Sequence, residues 1–244
     1  KAFETWKDKA VPAFNSMGIA NYIVDEGVLI PGIYLGMPNE IYHSLDALTS
    51  SKLKTFLESP AYYYRNYLSN ISRKKTNQEV RVFDTGILGH ELILERDKFI
   101  EKYFEDLVAA DYPDAFHTVG QIKQELKKYK LPLTGNKTDL IIRLLSHKPK
   151  SQIFEVLQRK NREKQGQKGV GLFNGEPVDT YGGKIPIDGV IWRDIHRLAS
   201  SVFNHVEADA LLQDGTAEVT IIAKDPNLDM FVAARPDWLR LNNW

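Results

Sequence analysis

The C-terminal part of the sequence limits the fold most, because it contains two apolar runs joined by a turn. The first run begins at Ala217-Glu218-Val219 and is followed by a turn at Asp225-Pro226-Asn227. The second run leads directly into Arg235-Pro236-Asp237. Apolar runs bounded by turn residues predict strands, here near residues 219–223 and 230–234. Together with the helical patterns elsewhere in the chain, this hairpin predicts an α/β fold with flanking helices.

Composition excludes several classes of protein and of site. The chain has 244 residues, of which 43% are hydrophobic and 26% charged, as is typical of a globular protein. It contains no cysteine, so histidine and carboxylates remain as metal ligands, and they favour a hard cation such as Mg²⁺. No apolar stretch is long enough to span a bilayer, and no signal-peptide pattern is present. We therefore expect a cytoplasmic protein without a membrane partner.

Charge is unevenly distributed along the chain, although the formal net charge is zero. Between Thr118 and Lys168 there are thirteen lysines and arginines against four acids, a local excess of nine positive charges. A basic segment on an otherwise acidic chain is typical of a surface that binds a polyanion. A solvated charged helix without a ligand is the alternative explanation of this pattern.

The pattern in residues 116–150 predicts two short helices around a tight loop. The first helix turns Ile122, Leu126 and Tyr129 inward and leaves its lysines outside, and Thr138-Asp139 is the predicted cap of the second helix. The run from Leu131 to Leu140, LPLTGNKTDL, resembles the central signature of the SAP domain, a small helix-loop-helix unit that binds DNA. We expect this module to be inserted into a host domain and to be followed by a basic linker over residues 151–181.

The resemblance to SAP domains implies double-stranded DNA as the partner. Helix N-termini and loop amides can receive phosphate oxygens, while cations neutralise the phosphate charge without reading the sequence. The residues that we expect to contact DNA are Lys128, Gly135, Lys137 and Arg143.

A helix with an unusual face is predicted from Asp84-Thr85-Gly86 onward. Gly86, Gly89 and His90 lie on one side of it, since they are separated by three and four residues. Glycine destabilises a helix interior by roughly 1 kcal/mol relative to alanine, so we expect another element to approach this face closely. His90 is then either a metal ligand or a buried, hydrogen-bonded side chain.

Four tyrosines, at positions 62, 63, 64 and 67, follow the helix signal at Ser59-Pro60. Their helical spacing beside apolar residues favours packing in the core over a stacking surface.

Several short motifs, taken in order, resemble the RecE-type recombination exonucleases of phages and prophages, which have a PD-(D/E)xK nuclease core. The motifs are Gly32-Ile33-Tyr34 through Tyr42-His43, Ser50-Ser51-Lys52-Leu53 with Ser59-Pro60, the Asp84-Thr85-Gly86 helix with His90, and the hairpin from Glu218 to Asp237. The resemblance implies a metal-dependent exonuclease acting on linear double-stranded DNA. Residues 1–115 and 182–244 would then be the two parts of one nuclease core.

The same resemblance implies the residues of the metal site. His90 and Asp237 would hold Mg²⁺ or Mn²⁺, and Asp237 and Glu218 would be the catalytic acids. A surface glutamate at a strand end is the alternative interpretation of Glu218. Related enzymes also work as closed homo-oligomers, with a single-strand annealing protein as a possible partner and a bacterial host cytoplasm as their location.

In this family the strand after the Pro-Asp carries an acid, a spacer and a lysine, and it would lie beyond Trp244. We therefore expect a truncated core and an inactive fragment of a deoxyribonuclease. Two rivals remain, namely a non-catalytic DNA-binding protein that retains the nuclease scaffold, and a regulatory partner that uses it as an interaction surface.

Overall fold

The computed structural model describes residues 5–24, 27–69, 77–173 and 176–240, with only the backbone described for residues 77–84. The chain divides into two compact units. Unit 1 consists of residues 1–95 and 199–244, and unit 2 consists of residues 96–198. Both units contain helices and strands, which confirms the predicted mixed α/β class.

The strands are short. In chain order they are β1 (Ala10–Pro12), β2 (Gly32–Leu35), β3 (Leu48–Thr49), β4 (Tyr103–Glu105), β5 (Lys168–Phe173), β6 (Glu176–Tyr181), β7 (Ile185–Ile187), β8 (Gly215–Ala217), β9 (Thr220–Asp225), β10 (Met230–Ala234) and β11 (Trp238–Arg240).

The helices connect and flank these strands. In chain order they are α1 (Trp6–Lys9), α2 (Asn39–Ser44), α3 (Ser50–Glu58), α4 (Pro60–Tyr63), α5 (Asn77–Leu94), α6 (Arg96–Lys102), α7 (Val119–Lys128), α8 (Lys137–His147), α9 (Phe154–Glu163), α10 (Gly189–Phe203) and α11 (Val206–Leu211). A π-helical turn over Tyr64–Leu68 continues α4. The helix that carries His90 begins at Asn77, earlier than the sequence predicts.

A mixed five-stranded sheet organises unit 1, with the strand order β1-β2-β9-β10-β3. The predicted hairpin is confirmed as the antiparallel pair β9 and β10, in which Ile222 lies opposite Ala233. The outer pairs, β1 with β2 and β3 with β10, are parallel. Tyr34, Ile222 and Ala233 are buried in one cluster with Tyr42 of α2, so the sheet and this helix share a core.

Beside the main sheet of unit 1, β8 and β11 form a separate antiparallel pair. The strand β11 follows Asp237 directly and consists of Trp238, Leu239 and Arg240. It therefore contains neither an acid nor a lysine.

Unit 2 contains a small helical core of its own. Ile122 and Leu126 of α7 pack against Leu140 and Leu144 of α8, and all four side chains are buried. The two ends of this module meet, because the amide of Phe116 donates to the carbonyl of Gln152 at 2.8 Å. The predicted inward positions of Ile122 and Leu126 are thus confirmed, whereas the same prediction for Tyr129 is wrong, because this residue follows the end of α7 and is 40% exposed.

The predicted linker over residues 151–181 is wrong as a description of local structure. This segment forms the helix α9 and the antiparallel hairpin of β5 and β6. Arg162 on α9 donates to the buried carboxylate of Asp106, at 2.9 Å from Nε and 2.5 Å from Nη2. The polar composition of α9 reflects this ion pair and a solvated face, and the sequence alone did not reveal the pairing.

No helix in the described ranges combines the length and the apolar composition that a membrane crossing requires.

Candidate functional site

Three side chains that the sequence singled out lie together in unit 1. His90 projects from α5, Glu218 lies between β8 and β9, and Asp237 lies between β10 and β11. His90 Nδ1 is 3.7 Å from Glu218 Oε1, and His90 Nε2 is 3.6 Å from Asp237 Oδ1. One ligand atom of each residue lies within 4.8 Å of the others. Both distances to His90 exceed those of hydrogen bonds, so the three groups surround a gap rather than closing it.

The backbone at Glu218 adopts a conformation that side chains seldom occupy. Its φ is +57°, in the left-handed region, where a non-glycine residue is strained by roughly 1 kcal/mol or more. The residue is held there because its amide donates to the carbonyl of Asp237 at 3.2 Å, and because the following Val219 is fully buried. The same hydrogen bond keeps the backbones of the two acidic residues adjacent.

Arg235 lies beside the cluster of His90, Glu218 and Asp237, and the sequence analysis did not identify it. Its guanidinium makes an ion pair with Glu218, and only 9% of the Arg235 side chain is exposed. The guanidinium also lies over the ring of Tyr42, 5.4 Å from the ring centre, and Nη1 is 3.4 Å from Asn39 Oδ1. The only available signal was its position in the Arg235-Pro236-Asp237 run.

The pKa of the Glu218 carboxyl is set mainly by its burial. Burial raises the pKa of Glu218, while the positive charge of Arg235 and the proximity of His90 oppose the rise. Asp237 and Glu95 raise the same pKa through repulsion. Glu95, which directly follows the last residue of α5, is a further acid that acts on Glu218 and that the sequence analysis did not identify.

The donor set fits a divalent cation. Two carboxylates and one imidazole are suitable ligands for Mn²⁺, and the carboxylates also suit Mg²⁺. Asp237 is 76% exposed and could share a cation with an outside ligand, whereas Glu218 is 21% exposed and already paired with Arg235. His90, at 40% exposed, is not the deeply buried histidine of the alternative interpretation.

The expected close approach to the glycine face of α5 is wrong at Gly86. A methyl group at this position would meet no described atom within 4 Å apart from its chain neighbours and the nearby backbone of its own helix. Gly86 is exposed, one turn before His90, whereas Gly89 is buried, so this face of the helix is open at Gly86 and not along its whole length.

In unit 2, both helices of the SAP-like segment begin with reciprocal capping interactions. Thr118 and Gln121 form the capping box of α7, and Asn136 and Asp139 form that of α8. The predicted Thr138-Asp139 cap is therefore wrong, because Asn136 is the N-cap and Asp139 is the third helical residue. Its carboxylate accepts from the Asn136 amide at 3.0 Å, so this amide already has a partner other than phosphate.

The predicted DNA contacts are largely engaged within the domain. Lys128 Nζ is 2.7 Å from Glu125 Oε2, and Lys137 makes an ion pair with Glu155. Arg143 donates from Nη1 to two loop carbonyls, those of residues 132 and 134, at 2.7 and 2.9 Å. Gly135 has a φ of +116°, and a methyl group there would lie 2.9 Å from the Asp139 carboxylate, so its conformation requires glycine.

Other lysines of the domain are better placed to meet phosphates. Lys123 and Lys127 are exposed one turn apart on α7, and Lys130 follows on the exposed turn after that helix. Among the described residues none of the three has an acidic partner. The spacing of four residues between Lys123 and Lys127 was the signal for a shared face.

Comparison with known families identifies a SAP domain at residues 118–148. The chain therefore contains a SAP domain, whose presence suggests DNA binding, and the predicted module over residues 116–150 encloses it. No curated protein and no solved structure gives a match to the chain. The comparisons thus identify no nuclease family.

Proposed function

We propose that this chain binds double-stranded DNA through its SAP domain and that His90, Glu218 and Asp237 form the divalent-metal site of a RecE-type exonuclease acting on linear duplex. The observation that carries the metal site is the convergence of one imidazole and two carboxylates within 4.8 Å. These residues come from separate parts of the chain, and the resemblance had already singled out all three.

DNA binding is supported by the SAP domain and by its solvated lysines. The exposed amines of Lys123, Lys127 and Lys130 can approach phosphates without first breaking an ion pair. Contacts of this kind position a duplex without reading its sequence, so we expect similar affinity for unrelated duplexes.

The chemistry of the metal cluster would be phosphodiester hydrolysis. A divalent cation held by these ligands would polarise the scissile phosphate and make hydroxide available near neutral pH. Asp237 and His90 would bind that cation, and Glu218 would orient it while remaining paired with Arg235. Arginine can stabilise the charge that develops on a phosphate, but it cannot act as a base.

The rival function is DNA binding without catalysis, and one observation favours it. The strand that follows Asp237 carries no acid and no lysine, and the cation paired with Glu218 is an arginine. We therefore expect metal binding by the cluster with little or no hydrolysis from these residues alone.

The DNA-binding proposal is tested by removing two charges from α7. Lys123→Ala with Lys127→Ala should weaken duplex binding and lower the salt slope by roughly 0.9 for each phosphate that is no longer neutralised. The charge control is Arg197→Ala with Lys224→Ala, which removes two exposed cations outside the SAP domain, each of which is paired with an aspartate. Equal losses of affinity in both double variants would show that net charge, and not the α7 face, governs binding.

The metal proposal is tested by titrating the chain with Mn²⁺ and following the free ion by electron paramagnetic resonance. Asp237→Asn should weaken binding strongly, whereas Asp229→Asn, at an exposed β9–β10 turn, should not. Unchanged Mn²⁺ binding in Asp237→Asn would refute the site. Divalent-dependent digestion of a labelled linear duplex that persists in this variant would place any nuclease site elsewhere.

A further inference from the structure

The tyrosines predicted for the core lie on the surface of unit 1. No described side chain of α3, of α4 or of the π-helical turn is buried. Their aromatic residues, which we name the aromatic surface, are Phe56, Tyr62, Tyr63, Tyr64 and Tyr67. The prediction of core packing is wrong because helical spacing identifies a shared face but does not show that another element covers it.

Three rings of the aromatic surface form a connected group. Phe56 and Tyr63 meet edge to face with ring centres 5.6 Å apart, and Tyr63 and Tyr67 are 5.3 Å apart at an interplanar angle of 46°. Tyr64 is 61% exposed, and Phe56 and Tyr67 are each more than 40% exposed. Large exposed aromatic groups of this kind mark surfaces that bind a ligand or a partner.

The charge around the aromatic surface is positive. Residues 50–69 contain three cations, Lys52, Lys54 and Arg65, against one acid, Glu58. Lys54 and Arg65 are exposed, whereas Lys52 donates to the carbonyls of residues 45 and 47. The ligand that complements this surface is therefore an anion with flat apolar faces.

We propose that the aromatic surface is a binding site for single-stranded DNA, with unpaired bases stacking on the tyrosine rings and phosphates near Lys54 and Arg65. Stacking on aromatic side chains beside cations is the general physical mode by which proteins hold unpaired strands without sequence preference. The inference shares with the proposed function only the premise that the ligand is DNA. It involves no residue of the metal cluster or of the SAP domain.

An unpaired strand fits this surface better than a duplex does. In a duplex the base faces are covered by neighbouring bases, so exposed rings gain little from contact with it. A single strand can turn its bases outward and stack them on rings such as Tyr64 and Tyr67. A positive surface in a chain that also contains a SAP domain favours nucleic acid over an apolar protein partner.

The test compares two ligands on the whole chain by fluorescence anisotropy. One is a labelled oligothymidylate of about 20 nucleotides, longer than the site sizes of roughly 4–16 nucleotides known for single-strand binders. The other is a labelled duplex closed at both ends. Tyr64→Ala with Tyr67→Ala should weaken oligothymidylate binding at least about tenfold and leave duplex binding unchanged.

Two controls separate ring stacking from damage to the fold. Tyr64→Phe with Tyr67→Phe keeps the rings and should stay within about twofold of the unmodified chain. Val206→Ala with Leu228→Ala removes exposed apolar groups elsewhere in unit 1 and should have no effect. Lys54→Ala with Arg65→Ala should lower the salt slope for the single strand by roughly 0.7 for each phosphate that these cations neutralise.

Unchanged oligothymidylate affinity in the alanine variant, with duplex binding intact, would overturn this inference and leave the proposed function standing. Loss of duplex binding in the α7 lysine variant, with oligothymidylate binding retained, would support two separate sites. Analytical ultracentrifugation then shows whether the aromatic surface joins two copies of the chain. If the unmodified chain self-associates and the alanine variant is monomeric with normal single-strand affinity, the surface joins two copies of the chain and the inference is wrong.

Discussion

Replacing Arg235 with methionine should destabilise unit 1 by leaving the carboxylate of Glu218 without its partner. Breaking a buried ion pair by removing one member costs roughly 3–5 kcal/mol. Because 21% of the Glu218 side chain is exposed, water can compensate part of that loss, and we expect roughly 2–4 kcal/mol. The loss of the guanidinium over Tyr42 contributes roughly 0.5–1 kcal/mol of this total.

A double-mutant cycle isolates the ion pair from the packing of the arginine stem. Arg235→Met with Glu218→Gln removes both charges, and the double variant should recover much of the loss, remaining within roughly 1–2 kcal/mol of the unmodified chain. Urea unfolding of all four proteins gives the coupling free energy. A cycle in which the two single losses simply add would refute the view that the ion pair governs this region.

The Arg235→Met variant also tests metal binding by the cluster. The guanidinium of Arg235 repels a metal cation and holds the carboxylate of Glu218 in an ion pair. Replacing Arg235 should therefore increase the affinity of the cluster for Mn²⁺. A ligand that binds only the folded state stabilises it by about 2.7 kcal/mol at a hundredfold excess over the dissociation constant. Mn²⁺ should therefore raise the stability of Arg235→Met more than that of the unmodified chain. An equal or smaller gain would count against a metal held by Glu218.

Three further predictions concern helices and the SAP domain. Gly86→Ala should raise the free energy of unfolding by about 1 kcal/mol and the melting temperature by roughly 2–4 °C, because the site is helical and open. Gly135→Ala should destabilise the SAP domain by roughly 1–2 kcal/mol, seen by hydrogen exchange, without changing the salt slope for duplex DNA. Hydrogen bonds from Lys128 and Lys148 lower the pKa of Glu125 below the usual 4.5, so its stabilising effect is complete above that pH and disappears as pH falls through the lowered pKa. Melting in acid should show this dependence, and Glu125→Gln should reduce it.

The parts of the fold that sequence predicts are those set by local pattern. Ile221 and Ile222 in β9 are β-branched residues followed by a Pro-Asn turn, so the hairpin was predictable. The outer strands of the same sheet were not. Strand β3 has only two residues and pairs in parallel with β10, almost two hundred residues later, and no local pattern encodes such a partner.

The candidate site shows the same division between local and distant information. A resemblance of motifs indicated His90, Glu218 and Asp237, and the structure brings them together. Arg235 escaped notice because its importance comes from contacts with Asn39 and Tyr42, which are distant in sequence. The left-handed backbone at Glu218 could not have been expected, since a glutamate has no intrinsic preference for it.

The number of cations also overstates how strongly the SAP domain can attract DNA. Of the eight lysines and arginines between residues 118 and 150, three are in ion pairs, namely Lys128, Lys137 and Lys148, which leaves five. The pair of Glu125 and Lys128 was predictable from the sequence, because the two residues are three apart on a helix. The pair of Lys137 and Glu155 was not predictable, because these residues are distant in sequence. With five cations available, the salt slope for duplex binding by this domain should not exceed about 4 to 5. A steeper measured slope would mean that the ion pairs open on binding or that cations outside the domain also contact the duplex, and the Lys137→Ala variant distinguishes these two explanations.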